Sequence, residues 1–240
     1  MMLKRIKKII YSNSFLATAE AGFDHKTGRL PNKHLSDAKS ILHVGGNIGQ
    51  ERFLYNYLDV NSAYIEPIPH IYNTLLSNLN QYSGKQKAFN LFFHECAGIK
   101  YELNIASNHG SASSICDFKE HSEIWPDVEF TDKISVVSTT LDVFLSSKVW
   151  PFFPDTLVID VQGAELDVLK GSEKSLKFIK WIQVEASDFD AYEGGCQVSD
   201  IESFLTNNNF SRVEKVKVSS SNNKTKNYFE LIYINNNNSI

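Results

Sequence analysis

The sequence predicts an α/β protein built on one mostly parallel sheet, and three observations carry that prediction. Short apolar runs alternate with longer stretches of helical periodicity, a glycine-rich turn joins the first such pair, and two alternating strands close the chain as a hairpin. Strands separated by helices imply right-handed crossovers and parallel pairing, whereas the terminal hairpin makes one edge antiparallel.

Taken in order, "SILHVG" (40–45) is a first strand, and "GQERFLYNYLD" (49–59) repeats apolar residues at Phe53, Leu54, Tyr57 and Leu58, as an amphipathic helix does. "SAYIEPIP" (62–69) is a second strand ended by prolines, followed by the helical "HIYNTLLSNLNQY". "KAFNLFFHECA" (87–97) reads as a third strand, and from Ile99 to Thr140 short β-like pieces suggest an insertion or edge hairpin. Alternation then resumes: "TLVIDV" (156–161) is a buried strand, and "AELDVLKGSEKSLK" (164–177) is a helix interrupted at Gly171. "KWIQVEA" (180–186) is a further strand. In "VSDIESFLTNNNF" Ser199 is placed as N-cap with Glu202 three residues on, a capping box. "SRVEKVKVSS" and "NYFELIYINN" flank the polar turn "SNNKTK" as the hairpin.

A chain of 240 residues with 28 acids, 24 bases and 42% hydrophobic residues has the composition of a soluble domain with one sizeable core. The net charge of -4 gives no reason to expect nucleic acid as a partner, since phosphates recruit basic surfaces. Cys96, Cys116 and Cys196 are too few and too far apart for a zinc knuckle or disulfide framework, so they read as free thiols in a reducing compartment. No run reaches the roughly 20 apolar residues of a membrane span, and a cytoplasmic location is expected. Residues 1–39 read as an N-terminal helix and loop extension ahead of one domain, 40–240. In its first part Leu3, Ile6, Ile9 and Ile10 recur among Lys4, Arg5, Lys7 and Lys8; a helix packed on the domain is favoured over a membrane-surface helix. The sequence leaves the oligomeric state open.

Gly45-Gly46-Asn47-Ile48-Gly49 does not fit the G-x-G-x-x-G spacing of dinucleotide turns. It is closer to the looser G-x-G-x-G turn of S-adenosylmethionine enzymes, with Asn47 in the middle glycine position. Taken alone, the turn leaves cofactor binding and simple packing equally open. Glu66 follows 21 residues after Gly45, at the end of the second strand, where a carboxylate accepts the ribose hydroxyls of an adenosine. That pairing does not separate S-adenosylmethionine from NAD.

Six segments, "HVGGNIGQE", "YIEPIPHIYNTL", "SNHGSASS", "VSTTLDVFL", "DTLVIDVQGAELDVLKG" and "WIQVEA", together make the chain resemble the FkbM family of S-adenosylmethionine-dependent methyltransferases. The resemblance implies a class I methyltransferase (Rossmann-like) sandwich with a seven-stranded sheet in the order 3-2-1-4-5-7-6. It also implies O-methylation of a sugar or glycan acceptor. Gly45, Asn47 and Gly49 match the family's first-turn motif and Glu66 its ribose carboxylate; Asp160, Gly163, Glu165, Leu169 and Gly171 match its fourth-strand motif, D-x-E-G-x-E-x-x-x-L-x-G. The implied cofactor contacts are His43, Gly45, Gly46, Asn47, Gly49, Glu66, Pro67, Ala97 and Asp160. Two positions depart from the motifs: His43 replaces an Asp and Gln162 a Glu.

Methyl transfer to a hydroxyl calls for a nearby base. Asp160 is the first candidate because a carboxylate ending the apolar run "TLVI" is poorly solvated; Glu165, Glu185 and His109 follow, ahead of His94. Asp160, Glu165, Glu185 and Asp188 could serve as hard metal ligands, but the uncharged Gln162 argues against a metal, and none is assigned. Trp125, Trp150, Phe152 and Phe153 lie in irregular segments, where packing as core or lid is favoured over stacking on a sugar or adenine. The rival readings are an NAD-dependent sugar oxidoreductase and a methyltransferase-like binding protein that has lost catalysis, the latter kept open by His43 and Gln162.

Overall fold

The computed structural model describes residues 33–82 and 84–238, so the basic amphipathic stretch near Leu3–Ile10 lies outside the described residues. A seven-stranded sheet runs β3-β2-β1-β7-β8-β10-β9. Its strands are β1 (Ser40–Val44), β2 (Asn61–Ile65), β3 (Gln86–Phe89), β7 (Thr156–Ile159), β8 (Trp181–Ser187), β9 (Phe210–Ser220) and β10 (Asn227–Asn235). Counted over this sheet alone the order is 3-2-1-4-5-7-6, as the family resemblance implies, and the strands are parallel except β10, which runs antiparallel to both its neighbours, β8 and β9.

Strand alternation assigns the two faces. Leu42 and Val44 of β1 join Leu157, Ile159, Ile182 and Val184 in one core, covered by α4 (Leu141–Ser147), α5 (Glu165–Lys170), α6 (Glu173–Leu176) and α7 (Val198–Asn207). Ile41 faces the other way, into a core with Tyr64 and Val158 beneath α1 (Lys33–Ser36), α2 (Arg52–Tyr57) and α3 (Pro69–Leu79), to which Leu35, Tyr55 and Leu75 contribute. Each fully buried Leu or Ile stabilises by roughly 1.5–3 kcal/mol.

Two local expectations are corrected, and the insertion expected over 99–140 is found with longer strands. The run 87–97 is two strands: Leu91 N–H bonds back to Phe89 O at 3.1 Å, and Asn90 Nδ2 donates to Glu66 O and Pro67 O. That tight turn takes β4 (Phe92–Phe93) out of the main sheet and pairs it with β6 (Phe130–Thr139). Residues 99–140 hold two long antiparallel strands, β5 (Lys100–Ala106) and β6 (Phe130–Thr139), which with β4 form a second, three-stranded sheet. The capping box of α7 sits two residues early: Gln197 is the N-cap and Asp200 returns the bond to its N–H at 2.8 Å. The break at Gly171 between α5 and α6 is as expected. Among the described residues no helix is long and apolar enough to cross a membrane, and the three cysteines are free.

Candidate functional site

The carboxyl ends of β1, β2 and β7 open onto a cleft enclosing about 810 Å³, part of it open solvent. The turn after β1 is tied to both neighbouring strands. Gly45 N–H and Gly46 N–H donate to Ile65 O at 3.0 and 2.9 Å, and Asp160 N–H donates to Val44 O at 2.9 Å. Gly45 has φ +87°, and a Cβ there would lie 1.7 Å from Asp160 O, so only glycine fits.

Glu66 is buried just past β2, where its Oε2 accepts Asn47 N–H at 2.9 Å and its Oε1 accepts Ile68 N–H at 2.8 Å. Burial pushes its carboxyl up to about 7, against the pull of those two amides. Each oxygen keeps a further lone pair for a ligand hydroxyl.

His43 is also buried, on the α2 face of β1, where strand alternation sends it away from Leu42 and Val44. Its ring stacks on Tyr64 at 5.5 Å, and its Nδ1 lies 3.1 Å from the Tyr55 hydroxyl and 3.7 Å from Glu51 Oε2. Burial lowers its pKa to about 4, so the imidazole is neutral at neutral pH.

Asp160 ends β7 on the cleft wall. Its Oδ1 accepts an N–H from Gln162 Nε2 at 2.5 Å. Burial raises its pKa, while Gln162 and His43 pull it down. Gln162 has left-handed backbone (φ +58°); its Oε1 accepts the Tyr192 hydroxyl at 2.6 Å and its carbonyl accepts Ser114 Oγ–H at 2.6 Å. Gly110, Ser111 and Ser113 bring the "SNHGSASS" segment onto the opposite wall with Phe92 and Leu103.

The cleft therefore gathers His43, Gly45, Asn47, Glu66, Pro67 and Asp160. Gly46 and Gly49 lie beside it as packing positions, against Tyr64 and Leu75. Besides these two, four more expected residues do not line it. Ala97 is exposed beyond β4, because the chain has left the main sheet by then. His109 is an exposed turn residue with φ +58°, although its neighbours reach the wall. Glu165 is buried under the loop after β7, accepting Val161 N–H at 3.0 Å, Gly163 N–H at 3.1 Å and the Cys196 thiol at 3.2 Å, and burial pushes it up to about 7. Glu185 flanks a separate small pocket with Glu165, Tyr192, Cys196 and Tyr228, and burial beside other acids raises its pKa.

The other expected residues have structural surroundings. His94 bridges the Tyr101 hydroxyl (3.1 Å) and Asp167 (3.4 Å), and Asp188 holds Asn227 N–H at 2.7 Å. Trp150 is core, Trp125 packs edge-on to Tyr228, and Phe152 and Phe153 are exposed near the amino end of β7. Among the described residues no group of three His, Cys, Asp or Glu side chains is arranged to hold a metal ion. Sequence reasoning missed Tyr192 and Ser114; the second lay in a segment already singled out, the first carried no local signal.

The strand order, the glycine turn tied to β2 and the buried acid after β2 define a class I, Rossmann-like methyltransferase. The chain belongs to the FkbM methyltransferase family, whose model, Methyltransferase FkbM domain, matches residues 43–212. It is 28% identical over 162 residues to the 2-O-methyltransferase NoeI of Sinorhizobium fredii (strain NBRC 101917 / NGR234), covering 64% of this chain and 65% of that protein. The crystal structure of methyltransferase FkbM from Methylobacillus flagellatus KT superposes with a TM-score of 0.51 at 12% identity, over 90% of this chain and 48% of that one. Magnesium protoporphyrin IX methyltransferase (ChlM) from Synechocystis PCC 6803 with bound SAM gives a TM-score of 0.45 at 8% identity, over 96% of this chain and 77% of that one. The chain thus spans just under two thirds of its curated relative and about half of the FkbM structure. The cofactor of the family is S-adenosylmethionine.

The cleft fits that cofactor. Glu51, Glu66 and Asp160 line it, whereas none of the described lining residues is lysine or arginine. Such a wall suits a sulfonium and an ammonium, and Glu66 offers acceptors for ribose hydroxyls.

Proposed function

We propose that this protein transfers a methyl group from S-adenosylmethionine to a hydroxyl oxygen of a sugar or glycan precursor. The observation that carries the reading is Asp160, a poorly solvated carboxylate on the wall of the cleft that also holds Glu66 and the glycine turn. NoeI, by its name a 2-O-methyltransferase, supports an oxygen as the acceptor atom.

Glu66 and Pro67 would hold the adenosine end, with Gly45 and Asn47 giving the backbone a close approach and neutral His43 lining the far side of the turn. The cofactor supplies an electrophilic methyl carbon on a positively charged sulfur. The chain's own task is alignment and proton removal: Asp160 would take up the proton of the acceptor hydroxyl as the hydroxyl oxygen displaces the sulfur from the methyl carbon, leaving S-adenosylhomocysteine. The acid-lined cleft also disfavours NAD, whose pyrophosphate would meet three carboxylates and no lysine or arginine among the described lining residues.

Calorimetric titration with S-adenosylmethionine, S-adenosylhomocysteine and NAD tests the cofactor, and labelled methyl transfer onto a panel of saccharides tests the acceptor. Tight binding of NAD with neither sulfur compound bound would overturn the reading. Asp160→Asn is expected to leave cofactor affinity nearly intact while lowering turnover at least tenfold, about 1.4 kcal/mol in the barrier; an unchanged rate removes Asp160 from the chemistry.

A further inference from the structure

Gln162 stands where the family motif has a glutamate, and its surroundings give the amide a job that a carboxylate could not do. Its Nε2 donates to Asp160 Oδ1, 2.5 Å away. On its other side Oε1 takes the Tyr192 hydroxyl proton at 2.6 Å. An amide has a donor end and an acceptor end, so the Asp160 carboxylate on one side and a phenol donor on the other select a single orientation. A glutamate at 162 would set one acceptor against another beside Asp160.

The backbone around Gln162 is held as firmly as its side chain. Glu165 accepts the N–H groups of Val161 and Gly163, on either side of it, and Ser114 bonds its carbonyl. Tyr192 is itself almost fully buried, with its ring stem against Gly163 and Gly195: a Cβ at either glycine would lie 3.1 or 3.0 Å from Tyr192 Cβ. The motif glycine at 163 thus makes room for the tyrosine that bonds the motif's variant residue.

We propose that Tyr192 is a positioning residue: its hydroxyl fixes the Gln162 amide so that an N–H is aimed at Asp160 and holds that carboxylate ionised and oriented as proton acceptor. The proposal rests on Asp160 being the base of the methyl transfer. Titratable groups close enough to act on Asp160 electrostatically come from several elements: His43 from β1, Glu51 at the start of α2, Glu165 from α5, Glu185 from β8, Glu230 and Tyr228 from β10, and Tyr192 itself. Most are acids, which disfavour a charged Asp160, so the one short N–H donated by Gln162 matters to its protonation.

Loss of the Tyr192 hydroxyl leaves Gln162 Oε1 without its donor and frees the amide to turn. The ionised form of Asp160 then loses support, and its pKa rises. The test is Tyr192→Phe in the full chain, with carbon-13 NMR titration of the aspartate carboxyls, the Asp160 signal being assigned by its absence from Asp160→Asn. The expected result is a titration midpoint for Asp160 at higher pH than in the wild type. The acid limb of the kcat profile should move with it, kcat at pH 6.5 should fall about tenfold, and S-adenosylmethionine affinity should stay within twofold. Gln162→Leu, which deletes the donor but keeps the tyrosine, should move the midpoint the same way and serves if Tyr192→Phe does not fold. An unmoved midpoint, or a fall in kcat with the midpoint unmoved, overturns the proposal. A wild type that transfers no methyl group would instead overturn the functional reading, while the titration still decides the role of Tyr192.

Discussion

Glu66 Oε2 accepts the Asn47 N–H at 2.9 Å, so the acid after β2 is bonded to the middle of the turn after β1. One side chain thereby fixes the turn and offers its remaining lone pairs to a ligand. Because burial holds its carboxyl at about 7, its charge changes across the neutral range. The ionised form is the better acceptor for ribose hydroxyls, so S-adenosylmethionine affinity should rise from pH 6 to pH 8 in the wild type. Glu66→Gln offers one acceptor instead of two and should weaken binding about 10- to 100-fold, the worth of a charge-assisted hydrogen bond at 1.5–3 kcal/mol. It should also flatten the pH dependence. Calorimetry at both pH values checks this; a variant with wild-type affinity would remove Glu66 from the cofactor site.

Much of this relationship was legible before any coordinates, because the sheet's registry converts a spacing into a place. Gly45 and Glu66 end adjacent parallel strands whose pairing puts Val44 opposite Ile65. The buried run of β7, the strand β8 and the terminal hairpin were equally direct. What was hidden depends on contacts between distant segments. Whether 87–97 stays in the sheet is decided by the Asn90 amide bonding Glu66 and Pro67, and nothing in its apolar pattern shows that. Glu165 matched the family motif, yet a motif position does not say whether a carboxylate faces a ligand or its own loop; here it caps backbone amides. Tyr192 reaches Gln162 from 30 positions away through a loop without periodicity.

Gly45, just past β1, lies directly against the backbone just past β7. Gly45→Ala combines a strained left-handed backbone with a Cβ 1.7 Å from Asp160 O, and neither can relax without parting the two strands. The expected loss is more than about 3 kcal/mol, seen as a fall in the denaturation midpoint or as insoluble protein. Gly98→Ala is the control. Gly98 has a similar φ of +81° but nothing within 4 Å of the added Cβ, so it should cost only about 1–2 kcal/mol. Equal losses in the two variants would mean that backbone strain alone, and not contact with Asp160, makes Gly45 necessary.

His43 occupies the motif's acid position, and its surroundings predict what restoring the acid does. The imidazole fills space between Tyr55 and Tyr64, and its Nδ1 shares a polar corner with the Tyr55 hydroxyl and Glu51. An aspartate is too small to fill that space and would add a charge near Glu51 and Asp160. His43→Asp is therefore expected to lower stability by about 2 kcal/mol or more at pH 8, by packing loss and by like-charge repulsion. The pH dependence should change as well. The folded pKa of about 4 lies below the ordinary value of 6.5, so wild-type His43 contributes stability that is present above 6.5 and lost as pH falls toward 4. In His43→Asp that loss disappears and an opposite trend replaces it. A buried aspartate with a raised pKa gains protonation in the folded state as pH falls, so the deficit relative to wild type should narrow from pH 8 to pH 5. Chemical denaturation of both proteins at the two pH values checks the sign: a deficit that widens on acidification would show that the new carboxylate is ionised and paired in the fold, an acid the site accommodates without strain.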